Sequence, residues 1–180
     1  YYNESKDQNS LDFQTHNINL TDWVVGDQNL NQQGSFWSSS IIRQAGPLRN
    51  DLHYAMDKEF FMRLLSMSIP FKSKDQAIAG RYRQHKDSKW VSERLLFKYE
   101  WAQVRLEYMP VTGLKDTNPE LFRENVIRNK NIIAYCLIRM AQSKKYDKST
   151  RVKFLLRAVM LNPSCVYRRD YLGSLKRLFL

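Results

Sequence analysis

Apolar residues recur at three- and four-residue spacing over much of this chain, the mark of helices that bury one stripe. The clearest case is HYAMDKEFFMRLL, His53 to Leu65, where Phe60, Phe61, Leu64 and Leu65 share a face. Asp57 lies one turn before Phe60 and Phe61 on that face, so the pattern points an acid toward the protein body. SERLLFKYEWAQVRLEYM predicts another amphipathic helix, with Leu95, Leu96, Tyr99 and Val104 turned inward. Asn118 as cap and Pro119 as first helical residue open a long helix carrying Ile127, Ile132, Ile133, Leu137 and Met140. A further helix is predicted from about Ser149 to Leu161, ended by Asn162-Pro163, and Ser164 is placed as the cap of the last one.

The first half carries a different pattern. Residues 1 to about 30 are polar, with short apolar moments at Ile18, Leu20, Trp23, Val24 and Val25, and predict loops with one or two short strands. QQGSFWSSSIIRQAGPL places a strand-like Ser35 to Trp37 before a short helix that Gly46 and Pro47 stop. IPFKSK and AIAGRYR alternate as strands do and lead into the polar RQHKDSK. The fold class predicted is therefore α/β over residues 1–92, with mixed helices and short strands, followed by an all-helical extension over 93–180.

With 43% hydrophobic residues in 180, the chain can bury a sizeable core and is not a disordered segment. Twenty-nine Lys and Arg against eighteen Asp and Glu leave a net charge of +11, which favours phosphate-bearing or otherwise anionic partners. No apolar run approaches the roughly 20 residues that span a bilayer, and YYNESKDQNS lacks the basic and apolar regions of a signal peptide. Cys136 and Cys165 are far apart, which argues against a zinc cluster or disulfide scaffold and for a reducing compartment. The chain starts at Tyr1 without methionine, and the expectation is a fragment whose upstream part is absent.

Two stretches carry candidate chemistry. Asp57 is either a helix cap, its carboxylate accepting from amides of the first turn, or a general base whose surroundings tune its proton affinity. RYRQHKDSK sets Arg81, Arg83, His85, Lys86 and Lys89 after a strand, which suits an anionic ligand or, for His85, a metal; the alternative is a solvated basic loop.

These stretches, taken in order, resemble the C-terminal half of the catalytic domain of family 2 glycosyltransferases, which have the GT-A fold. The matching residues are Gln32, Gln33, Phe36 and Trp37, then Gly46, then Asp57 with Phe60 and Arg63, then Tyr82, Arg83, His85 and Ser88. The resemblance covers about residues 1 to 92. It implies inverting transfer of a sugar from a nucleotide-diphosphate donor to a saccharide or lipid-linked hydroxyl acceptor, with Asp57 as base. Arg83 and His85 then face the donor diphosphate or a metal, and Gln33, Phe36 and Trp37 the acceptor or sugar side, although Phe36 and Trp37 suit a core equally well. A divalent cation, Mg or Mn, is implied for the complete enzyme. The family's nucleotide-binding half and its Asp-x-Asp element do not occur in this sequence, so the isolated fragment is expected to be inactive.

Arg63 has a second reading, as an i,i+4 partner of Glu59. Two other functions compete with transfer. One is a basic module for nucleic acid or an anionic surface, although no nucleic-acid motif of defined spacing is present and no specific nucleic acid is expected. The other is a noncatalytic helical-repeat-like interaction domain, since FLLRAVMLNPSCVYRRDYL resembles part of a tetratricopeptide-type pair. The expected location is cytoplasmic and peripheral at the inner face of an anionic membrane, drawn there by tail cations such as Lys144, Lys145, Arg168 and Arg169.

Overall fold

The computed structural model describes residues 2–3, 18–26, 32–71, 83–84 and 89–179. About three quarters of what it describes is helical, which corrects the α/β expectation. The described residues pair as strands only at two dipeptides, Tyr2–Asn3 and Arg83–Gln84, in a parallel register too short to form a layer. Most of IPFKSK and AIAGRYR lies outside the described residues.

Helix α1, Leu20–Val25, stands where strands were expected. Asn19 caps it by accepting from the Asp22 amide at 2.8 Å and donating to the Asp22 carboxylate at 2.6 Å, a local bond that outweighs the strand preference of Val24 and Val25. Ser35 to Trp37 is likewise not a strand. It is an irregular lead into α2, Ser39–Ala45, which Ser38 caps and Gly46 ends at a φ of 78°. Helix α3, Met56–Ser66, buries far more than one stripe: Glu59 and Met62 are enclosed together with Phe60, Phe61, Leu64 and Leu65.

The short α4, Lys89–Ser92, leads into α5, Arg94–Tyr108. A left-handed Gly113 opens the one-turn α6, Leu114–Thr117, and α7, Pro119–Ala141, then starts as predicted with Asn118 accepting from the Leu121 amide at 3.1 Å. Helix α8, Lys148–Leu161, packs back along α7 and is capped by Asp147. Ser164 is not the cap of the last helix. Asn162 accepts from its amide, a 3-10 turn spans Pro163–Tyr167, and α9 runs over Arg169–Phe179.

Two cores follow. In the first, Trp23 of α1 is fully enclosed, stacked on Phe61 at 5.3 Å and meeting Trp101 edge-on, with Val104, Met109 and Leu114 closing the cluster. Burying a side chain such as Phe61 contributes about 1.5–3 kcal/mol, which makes α1 and α3 depend on α5 for stability. The second core joins Ala102 of α5 to Ile133, Leu137 and Ile138 of α7, Leu155 and Ala158 of α8, and Tyr171 and Leu178 of α9. Cys136 and Cys165 are buried free thiols, as expected, and burial pushes the Cys136 thiol up to about 11. Ile127 departs from its expected inward position and is 52% exposed.

The C-terminus of α3 holds a non-glycine residue, Ser68, at a φ of 57°. Its amide donates to Leu65 and that of Ile69 to Leu64, which closes the helix. Ser68→Gly removes the side-chain clash of the left-handed region and is expected to stabilise the fold by about 0.5–1 kcal/mol. A rise in urea midpoint checks it, and a fall would show that the Ser68 side chain has a compensating role.

Candidate functional site

The site is built around the first turn of α3, and α5 is its template. Arg49, in the loop before α3, donates to both oxygens of Glu107 at 2.7 Å and is itself held by Asp51. Further back along α5, the Glu100 carboxylate accepts from the amides of His53, Tyr54 and Ala55 at 2.7–3.0 Å. A single side chain of another helix thus satisfies the amides entering α3, which no residue of the local sequence caps: the N-cap is Ala55 and makes no side-chain bond. Glu100→Gln replaces one accepting oxygen by a donor and is expected to cost about 1.5–3 kcal/mol, measured as a lower urea midpoint. An unchanged midpoint would show that water serves these amides equally well.

Asp57 is therefore not the N-cap. It sits inside the first turn, half-buried, with its carboxylate accepting from the Lys58 amide at 2.8 Å. Loss of water pushes its carboxyl above the ordinary value, against the opposing pull of that amide and of the Lys58 charge. The positive end of the helix holds the ionised form without neutralising it. Chemically this is a carboxylate short of solvent and ready to take a proton.

Directly behind it lies a buried polar cluster. Glu59, 2% exposed, pairs with Arg63 at 2.8 Å and accepts from the Tyr108 hydroxyl at 2.7 Å. The i,i+4 partnership of Glu59 and Arg63 was legible from spacing. Arg63 does more, donating to the carbonyls of Ala45 and Pro47 at 2.7 and 3.0 Å, so it binds the end of α2 to α3. Burial and the Glu59 carboxylate push the Tyr108 phenol upward, and it remains a proton donor at neutral pH.

The other predicted site residues divide. Trp37 is core, packed against Phe60 at 5.5 Å, Phe61 at 5.2 Å and Phe71 at 5.8 Å. Phe36 points the other way and is 80% exposed. Gln33 is described only as part of a 3-10 turn, Gln32–Gly34, and Arg83 only as backbone paired with the Tyr2–Asn3 dipeptide. His85 lies outside the described residues, and with it the expected approach of Arg83 and His85 to Asp57. Among the described residues, no group of three or more His, Cys, Asp or Glu gathers that could hold a divalent cation.

Sequence spacing could not have found Glu100 or Tyr108, which reach α3 from more than 40 residues away. No helix among the described residues is long and apolar enough to cross a membrane. No family model, curated protein or solved structure matches this chain.

Proposed function

We propose that this chain is the acceptor side of an inverting, family 2-like glycosyltransferase, with Asp57 as general base. The observation that supports it is the state of the Asp57 carboxylate: placed in the first turn of α3, bonded to the Lys58 amide, and raised in proton affinity by loss of water. The proposal rests on this site and on the order of the motifs, not on fold class.

In the step proposed, the acceptor O–H bond breaks and its proton passes to Asp57 while the oxygen attacks the anomeric carbon. The bond from that carbon to the diphosphate oxygen breaks on the opposite face, so configuration inverts and the nucleoside diphosphate leaves with the electron pair. Arg83 and His85 are assigned to the charge of that leaving group. Glu59, Arg63 and Tyr108 touch no reacting atom in this scheme; they hold α3 in position.

The test is product analysis. The chain, expressed together with a nucleotide-binding half, is offered a panel of nucleotide-diphosphate sugars with saccharide and lipid-linked acceptors. Release of nucleoside diphosphate with an inverted glycosidic product is expected. Retention of configuration, or no release from any pair by a folded protein, would remove the proposal.

A further inference from the structure

Helix α8 is apolar on two faces. Its inner face belongs to the second core, where Leu155 and Ala158 are buried and Phe154 and Leu161 pack beside them. A surface helix of this kind ordinarily turns polar groups to the other side. Here the other side carries Val152, Leu156 and Met160, spaced four residues apart, so that they form one ridge along the helix. All three stand in solvent, with exposure rising from 39% at Val152 to 59% at Leu156 and 84% at Met160. The packing of the fold does not use this ridge.

Charge follows the ridge. Lys153 and Arg157, both exposed, stand one position beyond Val152 and Leu156, so a line of cations borders the apolar one. None of the ion pairs among the described residues takes up either of them, and α8 contains no Asp or Glu. From Lys144 to Leu180, ten Lys and Arg stand against two acids, Asp147 and Asp170, and the Asp147 carboxylate is engaged in capping α8. A helix that lies among lipid headgroups presents this combination: its apolar side chains enter the acyl boundary while long cationic ones reach the phosphates. A protein partner asks for something else. Protein interfaces take about 20–30 residues a side and are depleted in Lys, whereas this ridge is three side chains in single file with Lys153 against them. A bilayer sets no such minimum, because each inserted side chain and each cation adds its own contribution.

We propose that the outward face of α8 docks on an anionic lipid bilayer, with Val152, Leu156 and Met160 inserted at the boundary between headgroups and acyl chains and Lys153 and Arg157 held at the phosphates. The helix lies along the membrane surface and does not cross it, since its inner face stays in the second core. Charge alone does not define this contact. A chain of net charge +11 gathers on any anionic surface, and the ridge is what singles out one face. The docking does not depend on transfer at Asp57, since binding is measured without donor or acceptor.

Flotation of the chain with lipid vesicles tests it, using phosphatidylcholine alone and an equimolar mixture of phosphatidylcholine with phosphatidylglycerol. The mixed vesicles are expected to bind about tenfold more tightly or better. Leu156→Gln with Met160→Gln keeps every charge and, with circular dichroism matched to the parent, should weaken binding to the mixed vesicles about tenfold. Lys153→Glu with Arg157→Glu should weaken it by about tenfold or more. Val111→Gln, which alters an exposed apolar residue between α5 and α6, should leave it unchanged. Binding that ignores the paired Gln substitutions would reduce the contact to charge alone and overturn the proposal. Absence of binding to the mixed vesicles, or equal binding to both kinds, would do the same. A dimer in sedimentation that the paired Gln substitutions dissociate would also overturn it, by making the ridge an interface between copies of this chain.

Discussion

Asp57→Asn is expected to reduce sugar transfer by about 10² to 10⁴ while leaving the fold intact, when measured with saturating donor and acceptor in a chain that also carries a nucleotide-binding half. The rate falls because the amide cannot accept the acceptor proton. The fold persists because the Asn side-chain oxygen can still accept from the Lys58 amide, while Glu100 goes on serving the amides before it. Stability should even gain near neutral pH. The Asp57 carboxyl is raised in the folded state, so the native protein binds more protons than the unfolded one between the ordinary and the raised value. Its contribution is thus fully favourable below the ordinary carboxylate pKa and is lost as pH rises through the raised one. In Asp57→Asn this loss should disappear, and parent and variant should diverge in urea midpoint as pH increases through that window. Near-parental turnover in the folded variant would reduce Asp57 to a structural acid.

Arg63→Met should be strongly destabilising, at about 3–5 kcal/mol. It leaves the Glu59 carboxylate, 2% exposed, with the Tyr108 hydroxyl but no cation, and it strips the Ala45 and Pro47 carbonyls of their donor. Adding Glu59→Met should recover a large share of the loss, since removing both members of a buried pair is far less costly than removing one. Thermal or urea unfolding of the parent, the single variant and the double variant measures both effects. A single-variant loss below about 1 kcal/mol, the scale of an exposed pair, would show that water reaches Glu59 and that this cluster does not lock α2 to α3.

Particular residues show why some of this was legible and some was not. Asn118 and Pro119 opened α7 where spacing put them, because a cap is a bond between residues three apart and needs nothing else. Gly46 ended α2 for the same local reason. The α/β expectation failed first at α1. Its β-branched Val24 and Val25 read as strand, yet Asn19 caps a helix there and Trp23 is drawn under Phe61. Propensity is a weak prior, and burial of a single large aromatic side chain outweighs it. Phe36 and Trp37, adjacent and chemically alike, went opposite ways because the irregular lead into α2 turns one toward Phe60 and Phe71 and the other to solvent.

By itself the sequence determined the long helices of the second half, the Asn118 cap of α7, the end of α8 at Asn162-Pro163 and the partnership of Glu59 with Arg63. Each of these follows from relations between residues within one or two turns, where geometry is nearly the same in every protein. Only the tertiary structure decided that Glu100 takes up the amides of His53, Tyr54 and Ala55 ahead of α3, and that Tyr108 completes the Glu59 pair. Those contacts join residues tens of positions apart, and their existence depends on how helices pack, which spacing along the chain does not encode.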